Sequence, residues 1–109
     1  LFIQEMHKDI VSNIEGTGLQ EIAYNDYGIQ GMVKEDYILT LQGHPEYNST
    51  IIDTLLVLRK KIIPYNIYRK GRDKVNLFTD TQLLASVIID FFRDLLTYTH
   101  LGHNKKFFI

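Results

Sequence analysis

The spacing of apolar residues changes near residue 48, and this change limits the folds that the chain can adopt. Before that point the apolar residues come in short runs of large and β-branched side chains, which predict β-strands. After it they recur every three or four residues, which predicts amphipathic helices. The extended stretches are "LFIQEMHKDIV", "LQEIAYN", "IQGMVKE" and "YILTLQ", and the clearest helical ones are "NSTIIDTLLVLRKKII" and "DTQLLASVIIDFFRDLLTY". Strands followed by helices predict an α/β chain.

The strand region has one tight turn and one strand of unusual composition. The turn is "DYG", between two strand candidates, where Gly28 is free to take a positive φ. The unusual strand is "YILTLQ", residues 37–42, which is apolar almost throughout. An uninterrupted apolar strand is typical of burial on both faces, as in a parallel sheet covered by helices.

The helical region predicts three helices and a tail. Asn48 or Ser49 can cap the first helix, and Pro64 closes or interrupts it. A short second helix is expected to end near Gly71. The third helix begins at Thr79 or Asp80. The apolar stripe of this helix comprises Leu83, Leu84, Val87, Ile88, Phe91, Leu95 and Tyr98. Residues 98–109 look like a tail.

Composition bounds the class of protein. The chain has 109 residues, 45% hydrophobic and 23% charged, which fits one globular domain or part of one. Its net charge of −1 favours neither nucleic acid nor an anionic membrane, and no apolar run is long enough to span a bilayer. We therefore expect a cytoplasmic protein. The chain opens on Leu1 and enters a strand-like segment at once, so we expect it to begin within a longer protein.

Metal and cofactor chemistry have little support in the sequence. The chain contains no cysteine, which excludes a thiolate metal site within it. His100 and His103, in "THLGH", have no carboxylate nearby to complete a set of ligands. We expect a solvated tail there, with neither a metal nor a cofactor.

The segment "QGHPEY" carries the most chemical information. His44 and Glu46 are two residues apart, and in an extended backbone such residues point to the same side. Pro45 stiffens the arrangement, because a proline biases the preceding residue towards extended geometry. Glu46 can then hold one imidazole nitrogen and leave the other free to exchange a proton. That is the base and its orienting carboxylate in a nucleophilic triad. An ordinary surface turn that leads into a helix is the alternative.

This segment and three others resemble the sequence motifs of a known family. "QGHPEY", after an apolar strand and before an amphipathic helix, resembles the histidine–glutamate motif of class I glutamine amidotransferases. "EMHKDIV" is similar to that family's "MHRD" segment, and "LQEIAYND…IQGM" to its paired strands. "NLFTDTQLLASVIIDFF" is similar to the last helix of several members. The likeness spans roughly residues 3–95 and is strongest to single-domain fungal and plant members, some of which are γ-glutamyl peptidases.

This resemblance implies a fold and a reaction. The fold would be the C-terminal part of a flavodoxin-like, three-layer α/β domain with a mainly parallel sheet and a small antiparallel strand pair. His44 would be the base and Glu46 its partner, acting with a cysteine nucleophile on the γ-glutamyl amide of glutamine or a γ-glutamyl peptide. His7 and Asp9 would lie near the α-amino and carboxylate end of the substrate. The family's cysteine elbow lies upstream of all these motifs, so the missing N-terminal half of the domain would be a partner of this chain.

Three interpretations remain open from the sequence alone. The chain is part of a γ-glutamyl hydrolase, or part of an inactive relative that binds a partner through the same surface, or a plain α/β scaffold. An upstream cysteine elbow favours the first, and a serine or glycine at the cysteine position favours the second. The third fails if His44 and Glu46 face one cleft at the end of a strand.

Overall fold

The computed structural model describes residues 1–35, 37–93 and 107–109. Its elements follow the chain as strands and then helices, with a short strand near the C-terminus. They are β1 (Gln20–Asn25), β2 (Gly28–Lys34), β3 (Ile38–Leu41), α1 (Ser49–Arg59), α2 (Tyr65–Lys74), α3 (Thr81–Phe92) and β4 (Phe107–Phe108). The predicted α/β composition is confirmed.

The strands form one sheet in the order β3-β2-β1-β4. β1 and β2 are an antiparallel hairpin joined across "DYG", and Gly28 has the predicted positive φ, at 133°. β2 also pairs antiparallel with β3, with Val33 opposite Leu39. β4 runs parallel to β1, so part of the segment predicted as a tail belongs to the sheet. Residues 98–106 lie outside the described residues.

The predicted mainly parallel sheet is not what the described residues show. β3 was expected to be buried between parallel neighbours, but it pairs antiparallel with β2 and stands at one end of the sheet. All four of its residues are only half-buried. Apolar side chains along an entire strand indicate that both faces are covered, but they carry no information about the direction of the neighbouring strand.

The first eleven residues lie extended beside the sheet without forming a regular strand. Gln4 forms an isolated antiparallel bridge with His44, and Val11 forms another with Ile29. Phe2 and Asp80 exchange two bonds: the Phe2 N–H donates to the Asp80 carboxylate at 2.6 Å, and the Asp80 N–H donates to the Phe2 carbonyl at 2.7 Å. This N-terminal segment therefore ties the end of β3 to the start of α3.

The helices begin near the predicted residues. Asn48 caps α1, because its side-chain oxygen accepts a hydrogen bond from the Ile51 N–H at 2.9 Å. α3 begins directly after Asp80, and its Leu84 and Phe91 are buried. Of the predicted stripe, Leu95 and Tyr98 lie outside the described residues. Within the part of the chain that the structure describes, no helix has both the length and the apolar character needed to cross a membrane.

The prediction that the second helix ends near Gly71 is wrong. α2 continues through Gly71 to Lys74. α1 and α2 pack around a core cluster of Ile52, Leu56 and Val75. A Cβ at position 71 would lie 3.0 Å from the Leu56 side chain, so the glycine allows the two helices a close approach. Packing, rather than helix propensity, explains why a glycine is tolerated inside this helix.

Candidate functional site

His44 is placed by the N-terminal segment on one side and by the start of α1 on the other. Its backbone N–H donates to the Gln4 carbonyl at 2.8 Å. The preceding residue, Gly43, is buried against Ile3: a Cβ there would lie 2.9 Å from Cγ1 of Ile3 and nearer still to its Cδ1. The lack of a side chain at position 43 therefore lets the N-terminal segment approach closely enough to bond His44.

Glu46 holds the imidazole of His44 at one nitrogen. Nδ1 of His44 lies 2.8 Å from Oε1 of Glu46. This hydrogen bond is the largest cause that holds the pKa of the Glu46 carboxyl below its ordinary value; a bond from its own backbone N–H assists it, and burial opposes it. An ionised carboxylate only accepts hydrogen bonds, so Nδ1 carries the proton and Nε2 of the neutral ring is left as a base.

The ring of Tyr47 stacks on one face of the same imidazole. The two rings are parallel to within 5°, with their centroids 4.1 Å apart. Tyr47 also packs against the core cluster below α1, and its backbone N–H donates to the His44 carbonyl at 3.1 Å. Sequence reasoning missed this residue. The sequence does show an aromatic residue three positions after the histidine. It drew no prediction because an aromatic side chain has no chemical role of its own in a triad.

The histidine and glutamate face a cleft beside the outer edge of β3. The cleft has a volume of about 540 Å³, within the range of small-molecule sites. Its apolar wall comes from β3 and α3 and includes Leu39, Leu41, Ile88 and Phe91. Among the described residues, Nε2 of His44 has no hydrogen-bond partner. The arrangement offers a proton acceptor at the rim of a cleft large enough for a small molecule.

His7 and Asp9 form a separate arrangement in the N-terminal segment. Nε2 of His7 lies 3.2 Å from a carboxylate oxygen of Glu5, and its Nδ1 lies 2.9 Å from the backbone carbonyl of Asp9. His7 therefore bonds the carboxylate of Glu5, whereas Asp9 contributes its backbone. Neither His7 nor Asp9 lines the cleft at His44. The structure gives their side chains no assigned role.

The described residues include no cluster suited to a metal ion. No group of three or more His, Asp or Glu side chains within residues 1–35, 37–93 and 107–109 is placed to bind one. His100 and His103 lie outside the described residues.

The chain is similar to gamma-glutamyl peptidase 2 of Arabidopsis thaliana, with 34% identity over 67 residues. The match takes in 59% of this chain and 27% of the plant protein, so the chain spans about a quarter of the length of this relative. No family model matches the chain. No solved structure matches it at a significant level.

Proposed function

We propose that this chain is part of a class I glutamine amidotransferase-like protein that hydrolyses the γ-glutamyl amide bond of glutamine or of γ-glutamyl peptides. One observation carries the proposal: His44, three residues after the end of β3, is bonded through Nδ1 to Glu46 and lies at the rim of a cleft. The likeness to a plant gamma-glutamyl peptidase supports the choice of the γ-glutamyl bond. A cytoplasmic enzyme that acts on small molecules, without a cofactor, fits this reaction.

The chemistry divides between this chain and a cysteine that it does not contain. The cysteine sulfur attacks the γ-carbonyl carbon while Nε2 of His44 takes the thiol proton. His44 then gives that proton to the leaving nitrogen, and a γ-glutamyl thioester remains. Water attacks the thioester carbonyl while His44 takes one of its protons; the C–S bond then breaks, His44 returns the proton to the sulfur, and the γ-carboxyl product leaves. Glu46 orients the imidazole and stabilises its charged form in both halves of the reaction.

We place the cysteine of the proposed reaction next to the outer edge of β3. In the order β3-β2-β1-β4, the outer edge of β3 has no neighbour among the described strands. We propose that a strand of the N-terminal half pairs there, ends in the cysteine elbow beside His44 and continues as the mainly parallel sheet of a flavodoxin-like domain. The elbow's backbone N–H groups would form the oxyanion hole. His7 and Asp9 would approach the α-amino and carboxylate end of the substrate.

The test is to replace the base and its partner in a full-length gene product that contains the cysteine elbow. His44→Ala should abolish hydrolysis of glutamine and of a γ-glutamyl dipeptide, with kcat reduced at least about 10⁴-fold. Glu46→Gln should leave a measurable rate, because losing the partner costs orientation but leaves the base in place. Asn66→Ala, at an exposed position on α2, is the control for substitution itself.

Two outcomes would contradict the proposal. An unchanged kcat in His44→Ala would remove His44 from the reaction. A serine or glycine in place of the cysteine in the full-length product, together with an inactive protein, would favour the inactive, partner-binding relative.

A further inference from the structure

The hydrogen bond to Glu46 is not enough to fix the imidazole of His44. Glu46 has 63% of its side chain exposed, and an exposed polar contact holds a long side chain only loosely. A single bond at Nδ1 also leaves the ring free to turn about that contact. Such a rotation would change the direction in which Nε2 points without breaking the hydrogen bond between Nδ1 and Glu46.

Tyr47 supplies the restraint that Glu46 lacks. It lies flat against the imidazole, with the ring planes 5° apart, so a turn of the His44 ring about its bond to Glu46 would break the stacking. Tyrosine has only two side-chain torsions and loses little entropy when it is held.

Tyr47 is itself held at both ends. Its side chain packs against Ile52, Leu56 and Val75, the core cluster between α1 and α2. Its backbone N–H donates to the His44 carbonyl. The position of the tyrosine ring is thus set by the helix core and does not depend on the solvent-exposed carboxylate.

We propose that Tyr47 is a positioning residue that fixes the plane of the His44 imidazole, so that Nδ1 stays on Glu46 and Nε2 keeps one direction. The inference takes its catalytic meaning from the proposed function, but the geometry can be tested without any activity.

The first experiment measures the tautomer of His44 by nitrogen NMR in this chain. The wild type and Tyr47→Phe, which keeps the stacked ring, should hold the proton mainly on Nδ1. Tyr47→Leu should lower the ratio of the Nδ1–H to the Nε2–H form by at least about twofold, because the ring then swings off Glu46. Tyr68→Leu is the matched control: it removes a tyrosine that packs on the same core cluster but does not stack on His44.

The outcomes separate positioning from simple packing. An equal change in Tyr47→Leu and Tyr68→Leu, or no change in Tyr47→Leu, would overturn the inference. If Tyr47→Leu fails to fold, Tyr47→Met, which fills more of the space with an adaptable side chain, gives the same readout.

Kinetics in the full-length protein provide a second readout. Tyr47→Leu should lower kcat about tenfold to a hundredfold with KM unchanged, and Tyr47→Phe should restore it. An equal kcat in wild type and Tyr47→Leu would also overturn the inference. If the full-length wild type hydrolyses no γ-glutamyl bond, the proposed function fails, while the tautomer measurement still decides the role of Tyr47.

Discussion

His44 is held at three of its groups by contacts from two parts of the chain. The N-terminal segment binds its backbone N–H, Glu46 binds Nδ1, and Tyr47 covers one face of the ring. Of the two imidazole nitrogens, Nε2 alone has no hydrogen-bond partner among the described residues. A histidine in an ordinary surface turn would need none of these restraints, and their coincidence favours a role in proton transfer.

The pairing of Glu46 predicts a dependence of stability on pH. Its folded-state pKa is lowered, chiefly by the bond from His44, so the pairing contributes stability above the unfolded-state pKa and loses it as the pH falls through the folded-state pKa. The wild type should exceed Glu46→Gln in free energy of unfolding at neutral pH, by less than about 1 kcal/mol because the carboxylate is exposed. The difference should disappear on acidification to below both pKa values.

Urea unfolding of both proteins between pH 7 and pH 3 would measure this difference. Glu15→Gln, in an exposed turn, removes the same charge and controls for the change in net charge. A difference that grows as the pH falls would contradict the assignment.

Gly43 is expected to tolerate no side chain. A Cβ would overlap Ile3, which is buried, and the N-terminal segment would have to move. Gly43→Ala should therefore lower the free energy of unfolding by about 1–3 kcal/mol, as overpacking does in other cores. A double-mutant cycle with Ile3→Ala is the check. Ile3→Ala should cost less in the Gly43→Ala background than in the wild type, and simple additivity would show that the two residues do not meet.

At the scale of elements, the cap of α1 sets where the helix begins relative to His44. Asn48→Ala removes the side-chain acceptor for the Ile51 N–H and should cost about 1 kcal/mol of stability. Asn66→Ala, within the first turn of α2 and exposed, should change stability by much less. Thermal unfolding of the two variants distinguishes them. Equal losses would show that the cap contributes nothing beyond the general effect of losing an asparagine.

The features that could be predicted from the sequence are those set by neighbouring residues. The hairpin follows from Gly28, the start of α1 from Asn48, and the contact of His44 with Glu46 from their spacing across Pro45. Each depends on the backbone preferences of a few neighbouring residues, and such preferences can be predicted from a single sequence.

The features that could not be predicted depend on contacts between distant residues. The continuation of α2 through Gly71 depends on Leu56 of another helix. The antiparallel pairing of β3 depends on its neighbour, which its own apolar pattern does not specify. The stacking of Tyr47 on His44 requires the ring to be anchored in the core of α1 and α2, and nothing in the motif itself indicates that core.

At the scale of the molecule, the outer edge of β3 should make this chain associate. Residues 38–41 contain no charge and no proline to block pairing with another strand. Beside that edge Tyr37 and Phe92 are 57% and 79% exposed, respectively. We expect the chain on its own to sediment as more than a monomer, with a concentration-dependent size, and to release no ammonia from glutamine.

Lysine substitutions test whether that edge is responsible. Replacing Tyr37 and Phe92 together by lysine should reduce the association. Phe78→Lys, at a residue that is 91% exposed but does not line the cleft, should not. A monodisperse wild-type monomer that turns over glutamine would contradict both the role of the edge and the need for a separate cysteine.

The docking of the N-terminal segment has a consequence for the order of events during folding. Phe2 bonds to Asp80 across a sequence separation of 78 residues, and Gln4 bonds to Val75 across 71. Closing such long loops is entropically costly and tends to come late, after local hairpins and helices have formed. Because Gln4 also accepts the hydrogen bond from the His44 backbone N–H, we expect this restraint on the histidine, unlike its local contacts with Glu46 and Tyr47, to form in the last stage of folding. We therefore expect a newly made chain to form its helices and hairpin before the backbone of His44 is anchored, so the candidate site would be completed after the fold that surrounds it.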